Sequence, residues 1–353
     1  MKILFIVPYP TEGPSNRFRV EQFLPYLKER GIGYSARPFY NSFIYRVLYK
    51  RGYYIRKVLF LSFFILRRIR DVLSARTYDV IFIHREAYPF DGYILESLFR
   101  FFGKKLIYDF DDSIFLKKPQ KVKKIISMSD YVIAGNEFLK NYASQFNKNV
   151  FILPTCIDTQ IYRPKTKQPD KDKIIIGWIG TSFTAIYLEL LKDVYAALAD
   201  RYKNIEFKIV GGCFQNFNLP LTCKNWSLKS EVSDLQEFDI GVMPLFDDDW
   251  AKGKCAFKII QYMAVGIPTV ASRVGMNIEV IEDGKDGFLV SNKEEWIDKL
   301  SLLIENRVLR ENMGKSSRIK VENLYSVEVN KQKYLDILEG TCASGEFDAA
   351  RRT

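Results

Sequence analysis

The stretch AKGKCAFKIIQYMAVGIPTVAS, Ala251–Ser272, decides how the chain reads. From Lys254 to Val265 apolar residues recur at helical spacing, Gly266 ends the helix, and IPTVAS reads as the strand that follows. DDDWAKG before it, Asp247–Gly253, reads as a loop. Helix, glycine, strand is one arm of a βαβ unit, so the segment predicts a mainly parallel sheet with ligands at the carboxyl ends of its strands. Lys254 and Lys258 stand four residues apart, on one face of that helix's first turns. Cations there oppose the helix dipole by on the order of a few tenths of a kcal/mol. A cost of that sign points to an anion held between lysines and dipole; the plain alternative is two surface lysines whose stems lie over apolar neighbours.

Working outward, the same alternation fills the chain. KILFIVPYP, YDVIFIHREAYP, KKLIYDFDD and YVIAGNEF alternate with helical segments in the first half, and KIIIGWIGTSFT, IEFKIVGG, DIGVMPLFDDDW, TVASRVG and DGFLVSN do so in the second. The chain has 353 residues, and at roughly 150 residues per domain two domains are expected. FILPTCIDTQIYRP, Phe151–Pro164, leads into KTKQPDKDK, a lysine-rich segment with no apolar period that reads as the linker. The last residues, TCASGEFDAARRT, abandon the style of the rest and read as a tail outside the fold.

Hydrophobic residues make up 47% of the chain, enough to bury two cores and to exclude global disorder. The net charge of +11 favours an anionic partner: a phosphate-bearing ligand, nucleic acid or an anionic membrane. Five scattered cysteines (Cys156, Cys213, Cys223, Cys255, Cys342) and a single histidine offer no Cys/His metal spacing, so no metal is expected and a reduced cytoplasmic compartment fits. The opening MKILFIVPYP reads as a first strand, not a secretory segment, and VLFLSFFIL, Val58–Leu66, is far short of the ~20 residues that span a bilayer. Between Asn41 and Asp71 eight Lys or Arg (Arg46, Lys50, Arg51, Arg56, Lys57, Arg67, Arg68, Arg70) face one acid and alternate with aromatic and aliphatic residues. Residues 41–73 therefore read either as a helix pair with a solvated basic face or as a dock for an anionic membrane. No nucleic-acid reading motif accompanies them, and no nucleic-acid partner is expected.

IIIGWIGTSFTAIYLELL places Gly177, Gly180, Thr181 and Ser182 at a strand end before a helix, where backbone N–H groups and the dipole suit a phosphate. The spacing is GxxG and lacks the P-loop Lys-Ser pair, so the loop reads equally as a tight turn. YDFDDSIF sets Asp109, Asp111 and Asp112 at another strand end; crowded carboxylates shift one another's pKa, and one could take a proton from an acceptor hydroxyl, or the cluster could simply cap the next helix. PYPTEGPSNRFRVEQFLPYL brings Gly13, Asn16, Arg17 and Arg19 to the first βα loop, as acceptor contacts or as capping and solvated residues. His84 also falls at a strand end, with an acceptor role or a structural one. Trp226 is a candidate for base stacking or for the core.

QYMAVGIPTVASRVGMNIEVIEDGKDGFLV, Gln261–Val290, resembles the signature of the family 4 retaining glycosyltransferases, which carry AMACGxPVVAS and EVIxDGxxGxLV. ILPTCIDTQIYRP resembles that family's interdomain segment, and LYSVEVNKQKYLDIL, Leu324–Leu338, its C-terminal helix crossing back to the first domain. The resemblance implies an α/β, GT-B fold of two Rossmann-like domains with mainly parallel sheets: an acceptor-side domain over 1–160, a nucleotide-sugar domain over 161–322, the returning helix over 323–340 and the tail over 341–353. It implies sugar transfer from a nucleotide-sugar donor with retention, with no cofactor and no metal. One departure matters: the positions matching the family's two glutamates are Gly253 and Gln261. The stretch is similar to a sub-branch carrying GKxxFKxxxYMAxGxP, whose lysines face the diphosphate; this makes Lys258 and then Lys254 the catalytic candidates, with Asp111 as base. Gly180, Thr181, Ser182, Gln261 and Trp226 join the lysines on the donor, and Gly13, Asn16, Arg17, Arg19, His84, Asp109 and Asp112 face the acceptor.

The basic segment turns the expected acceptor toward lipid-linked or cell-surface polysaccharide or lipopolysaccharide, with the protein peripheral on the inner face of the cell membrane. The absent glutamates leave a second class open, a nucleotide- or glycan-binding subunit without catalysis. A sugar-nucleotide epimerase is the weaker alternative, since it needs acid and base carboxylates around the donor sugar.

Overall fold

The computed structural model describes residues 1–48, 54–165, 173–212 and 221–341. Most of the expected linker (166–172), Lys50, Arg51, Cys213, Cys342 and the tail from 342 lie outside the described residues, as do the side chains of Arg46, Arg56 and Lys57. The chain divides into two compact units, Met1–Thr155 with Asn330–Thr353, and Cys156–Val329.

Among the described residues of the first unit, six strands form one parallel sheet: β1 (Lys2–Val7), β2 (Gly33–Pro38), β3 (Val80–His84), β4 (Leu106–Phe110), β5 (Tyr131–Ala134) and β6 (Val150–Ile152), in the order β2-β1-β3-β4-β5-β6. Helices cover both faces of such a sheet, so its central strands are apolar without alternation. Leu4, Ile6, Ile81, Phe82 and Ile83 are all fully buried. The register sets His84 opposite Asp109 at the carboxyl ends of β3 and β4. The helix Val327–Glu339 joins this unit from Asn330 onward, where Tyr334 stacks on Phe23 at 4.2 Å and meets Phe82 edge-on.

The second unit repeats the architecture with β7 (Ile174–Gly180), β8 (Ile205–Gly211), β9 (Leu221–Lys224), β10 (Ile240–Met243), β11 (Thr269–Ser272) and β12 (Phe288–Val290), ordered β12-β11-β10-β7-β8-β9. The winding direction reverses between β7 and β10, and such a reversal opens a crevice beyond the carboxyl ends of the two strands. Trp178, Leu188, Phe207, Val242 and Trp296 fill the core beneath it. Gly241 permits close packing there, because a Cβ would lie 2.5 Å from the Tyr262 ring.

Two expectations are corrected. The Ala251–Ser272 helix starts later than its apolar period suggests: Asp249–Lys252 is a separate turn capped by Asp248, and the main helix runs Phe257–Ala264. Ala256, at φ 48° in the left-handed region, breaks the two apart, so Lys254 lies in the connecting loop and the lysines do not share one helix. The basic segment forms the helices Ser42–Leu48 and Tyr54–Ser74, but Arg68 does not belong to a solvated face. It is buried, donating to the carbonyls of Arg37, Val7 and Ala87 and to Asp71, and burial lowers its pKa to about 10.

Candidate active site

In the second unit the residues around the β7/β10 reversal form one connected surface. β7 ends at Gly180, where the backbone turns on itself: Thr184 and Ala185 donate to the Thr181 carbonyl, and Thr181 donates to the Thr184 hydroxyl. This turn rests on the end of β8. Gly212 donates to the Gly180 carbonyl at 2.8 Å, and a Cβ on Gly212 would stand 2.5 Å from the Ser182 nitrogen. Only glycine allows that approach, and Gly211 beside it takes φ 102°. Thr181 and Ser182 are exposed on top. Gly177 is a packing residue, since its Cβ would enter the Phe238 ring.

The Phe257–Ala264 helix closes the other side. The Tyr262 hydroxyl accepts from Ile179 of β7 and donates to the Val242 carbonyl of β10, which locks the helix over the reversal. Burial raises the Tyr262 pKa, so the hydroxyl stays a donor. The helix start has no side-chain cap and no acid in its first turn. Lys258 sits in that turn, its ammonium 5.5 Å from the centre of the Trp178 ring, and the far edge of that ring underlies Gly180. The Lys254 ammonium lies 5.8 Å from the Tyr187 ring and 5.6 Å from that of Trp250. Both cations therefore stand over aromatic rings, Lys258 over the ring that underlies Gly180, despite starting from different elements.

Gln261 is buried and turned away from solvent. Its amide donates to Glu231 Oε1 at 2.7 Å, and Glu231, the first residue of the helix Glu231–Leu235, is equally buried. A glutamate at 261 would set a second carboxylate against Glu231, where two like charges cannot both persist. This accounts physically for the departure at Gln261. Gly253 is the buried C-cap of the Asp249–Lys252 turn. Trp226 is half-buried, with its Cβ beside Gly211. Glu231 is not legible in the sequence, because SEVSDLQEF carries no signal pairing it with a helix thirty residues on. A cavity of about 400 Å³ opens at the ends of β10, β11 and β12, lined by Phe246, Arg273, Lys293 and Trp296 among others; none of the residues expected from sequence lines it.

In the first unit an alternating row of charges crosses the carboxyl ends of β3 and β4. Arg19, from the helix Pro14–Arg19, pairs with Asp109 and donates to the Leu153 carbonyl, with both side chains buried. His84 Nδ1 meets the same carboxylate at 2.6 Å. Burial works to raise the Asp109 pKa, but Arg19 and the His84 hydrogen bond overcome it and hold the carboxyl below its usual range. His84 Nε2 makes no hydrogen bond among the described residues and stands 4.0 Å from Asp111 Oδ1. Arg85, at φ 61°, turns its guanidinium to within 3.9 Å of Asp111 and 3.0 Å of Asp112. These two carboxylates raise the Arg85 pKa against the opposing effect of its burial.

Asn16 is buried on Glu21, Arg17 is half-exposed over the Phe18 ring, and Gly13 packs on Tyr9 where a side chain would collide. Thus Asp109, His84 and Arg19 form a closed internal set, whereas Arg17, Asp111 and Asp112 remain partly open.

Residues 173–306 match the family model of glycosyl transferases group 1. Over 188 residues the chain is 26% identical to an uncharacterized glycosyltransferase of Haemophilus influenzae, covering 50% of this chain and 52% of that protein. It is 31% identical over 80 residues to spore coat protein SA of Bacillus subtilis, covering 22% and 21% of the two chains. The chain thus spans about half or less of these relatives' lengths. Among solved structures, HepE of Anabaena in complex with UDP and glucose superposes with a TM-score of 0.70 at 14% identity, covering 96% of this chain and 99% of that one. A glycosyltransferase from Rickettsia africae gives 0.72 at 16% identity, covering 96% and 98%. At such identities the likeness shows the fold, a GT-B arrangement of two α/β units. The family match is confined to residues 173–306, and the likeness over the rest of the chain is one of fold.

Proposed function

We propose that this chain, with its group 1 glycosyltransferase match over residues 173–306, transfers a sugar from a nucleotide-sugar donor, with retention and without a metal. The acceptor is a lipid-linked or cell-surface polysaccharide or lipopolysaccharide, met from the cytoplasmic side by a protein peripheral on the membrane. The observation that carries the reading is that Lys258, in an uncapped helix start, stands over the Trp178 ring that underlies the glycine-built loop at the β7/β10 reversal.

In transfer, the bond from the anomeric carbon to the diphosphate oxygen breaks and the leaving oxygen keeps the electron pair. Preorganised cations and helix N–H groups stabilise that growing charge, and they reorganise little as it forms. Lys258 is assigned to the diphosphate with Lys254 beside it, Thr181 and Ser182 to the phosphate-facing loop, and Trp226 to the base. Glu231 is a buried carboxylate held by the Gln261 amide. On the acceptor side Asp111 is assigned as the group receiving the hydroxyl proton, with Arg17 and Asp112 as contacts. Arg19 and Asp109 act through His84, as positioning residues.

The complex of HepE with UDP-glucose makes UDP-sugars the first donors to test, followed by GDP- and ADP-sugars. A thermal-shift panel followed by turnover assays tests the reading: the right donor raises the melting temperature by mass action and is hydrolysed or transferred. The absence of a carboxylate at Gly253 and at Gln261 favours one second reading, a binding subunit without catalysis. Nucleotide binding with no turnover of any donor would establish that reading in place of the first.

A further inference from the structure

Two neighbouring helices of the first unit present more apolar side chain outward than a solvated surface requires. Phe63, Leu66 and Leu73 of the helix Tyr54–Ser74 are 58%, 63% and 55% exposed, while Ile94 and Phe101 of the helix Ile94–Phe102 are 69% and 79% exposed. At helical spacing each set forms one stripe, opposite the buried stripes of Phe64 and Val72 and of Leu95 and Phe99. Charge is sorted in the same way. Each helix has one acid, and both turn inward: Asp71 onto Arg68 at 3.1 Å, and Glu96 onto Lys121 at 3.1 Å. Outward, Arg70 is exposed, and exposed Lys124 reaches to 5.9 Å from the Tyr93 ring, next to Ile94. No helix among the described residues is long and apolar enough to cross a membrane.

We infer that this two-helix face lies in the surface of an anionic bilayer, with Phe63, Leu66, Leu73, Ile94 and Phe101 among the acyl chains and Arg70 and Lys124 at the phosphates. The inference rests on the membrane-borne acceptor of the proposed function, and it adds the Ile94–Phe102 helix to the basic segment as half of the contact. Lipid fits this face better than a second copy of the chain does. An isologous pairing would bring two cationic faces together with no outward carboxylate from either helix to balance them.

The test is co-sedimentation of the full chain with sucrose-loaded vesicles of phosphatidylcholine alone or mixed with phosphatidylglycerol. The expected result is binding to the anionic vesicles, weakened about tenfold by Leu66→Glu with Phe101→Glu and comparably by Arg70→Glu with Lys124→Glu. Circular dichroism should stay unchanged, since all four side chains are exposed. Absence of vesicle binding overturns the inference, and so does binding indifferent to the Leu66/Phe101 pair, which would be adsorption by charge alone. A lipid-free dimer in light scattering that this same pair dissolves overturns it too, in favour of a second copy. Donor turnover without vesicles separates the two readings. Turnover with no vesicle binding removes only the membrane face, and vesicle binding with no turnover of any donor removes only the glycosyltransferase.

Discussion

Replacing Lys258 by alanine is the most direct probe of the proposed donor site. The ammonium is half-exposed and stands 5.5 Å from the centre of the Trp178 ring. Contacts of a partly exposed charge contribute at most about 1 kcal/mol to folding, so removing it should change the melting temperature of the unliganded protein little. A charge-assisted contact to a diphosphate contributes about 1.5–3 kcal/mol. Partial exposure places this one in the lower part of that range, so Kd for the nucleotide should rise roughly 10- to 30-fold. The diphosphate gains charge as the sugar departs, so kcat should fall as well, by up to roughly 10²–10³ if Lys258 follows the leaving oxygen. Calorimetric titration with the bound nucleotide gives the first number and donor turnover the second. The pattern distinguishes a diphosphate ligand from a residue that only shapes the pocket, because kcat/KM must drop by more than Kd alone explains. Affinity and kcat both within about twofold of the parent would refute the diphosphate assignment, whatever else the protein binds.

Substitutions at three other positions test separate parts of the structure. Gly212→Ala should displace the Thr181–Ser182 backbone, lowering nucleotide affinity in calorimetry more than it lowers thermal stability, because the new Cβ meets backbone atoms 2.5–2.6 Å away. Gln261→Leu removes a donor from buried Glu231 and should cost about 1–3 kcal/mol in denaturant unfolding. Gln261→Glu should cost more at neutral pH and recover as the pH falls toward about 4, because the paired carboxyls then share a proton and a raised carboxyl pKa is stability lost with rising pH. Asp109→Asn leaves Arg19 buried without its counter-charge and should destabilise by about 3–5 kcal/mol. The folded-state pKa of Asp109 is depressed, so its contribution is full above about pH 4 and is lost as pH falls through the lower folded value. Acid unfolding of the Asn variant should lack that component.

The α/β class and both parallel sheets are legible in the primary structure, because runs such as ILFIV and IIIGWIG are apolar on both faces and alternate with helical periods. These are local signals, written within a few residues of where they act. The sequence also marks the loop after β7 and the lysines near Phe257 as chemically unusual, through glycines at a strand end and cations at a helix start. Which residues meet is settled by folding alone. Periodicity carries the helix back to Lys254, yet left-handed Ala256 breaks it, and a single φ leaves no trace in hydrophobic spacing. Glu231 finds Gln261 across thirty residues and Arg19 finds Asp109 across ninety, contacts that depend on sheet order and register. The charges of residues 41–71 likewise look uniformly basic in one dimension. Folding buries Arg68 and turns Asp71 inward while leaving Arg70 and the apolar stripe outside, because the helical rotation between neighbours, and not composition, assigns each side chain to a face.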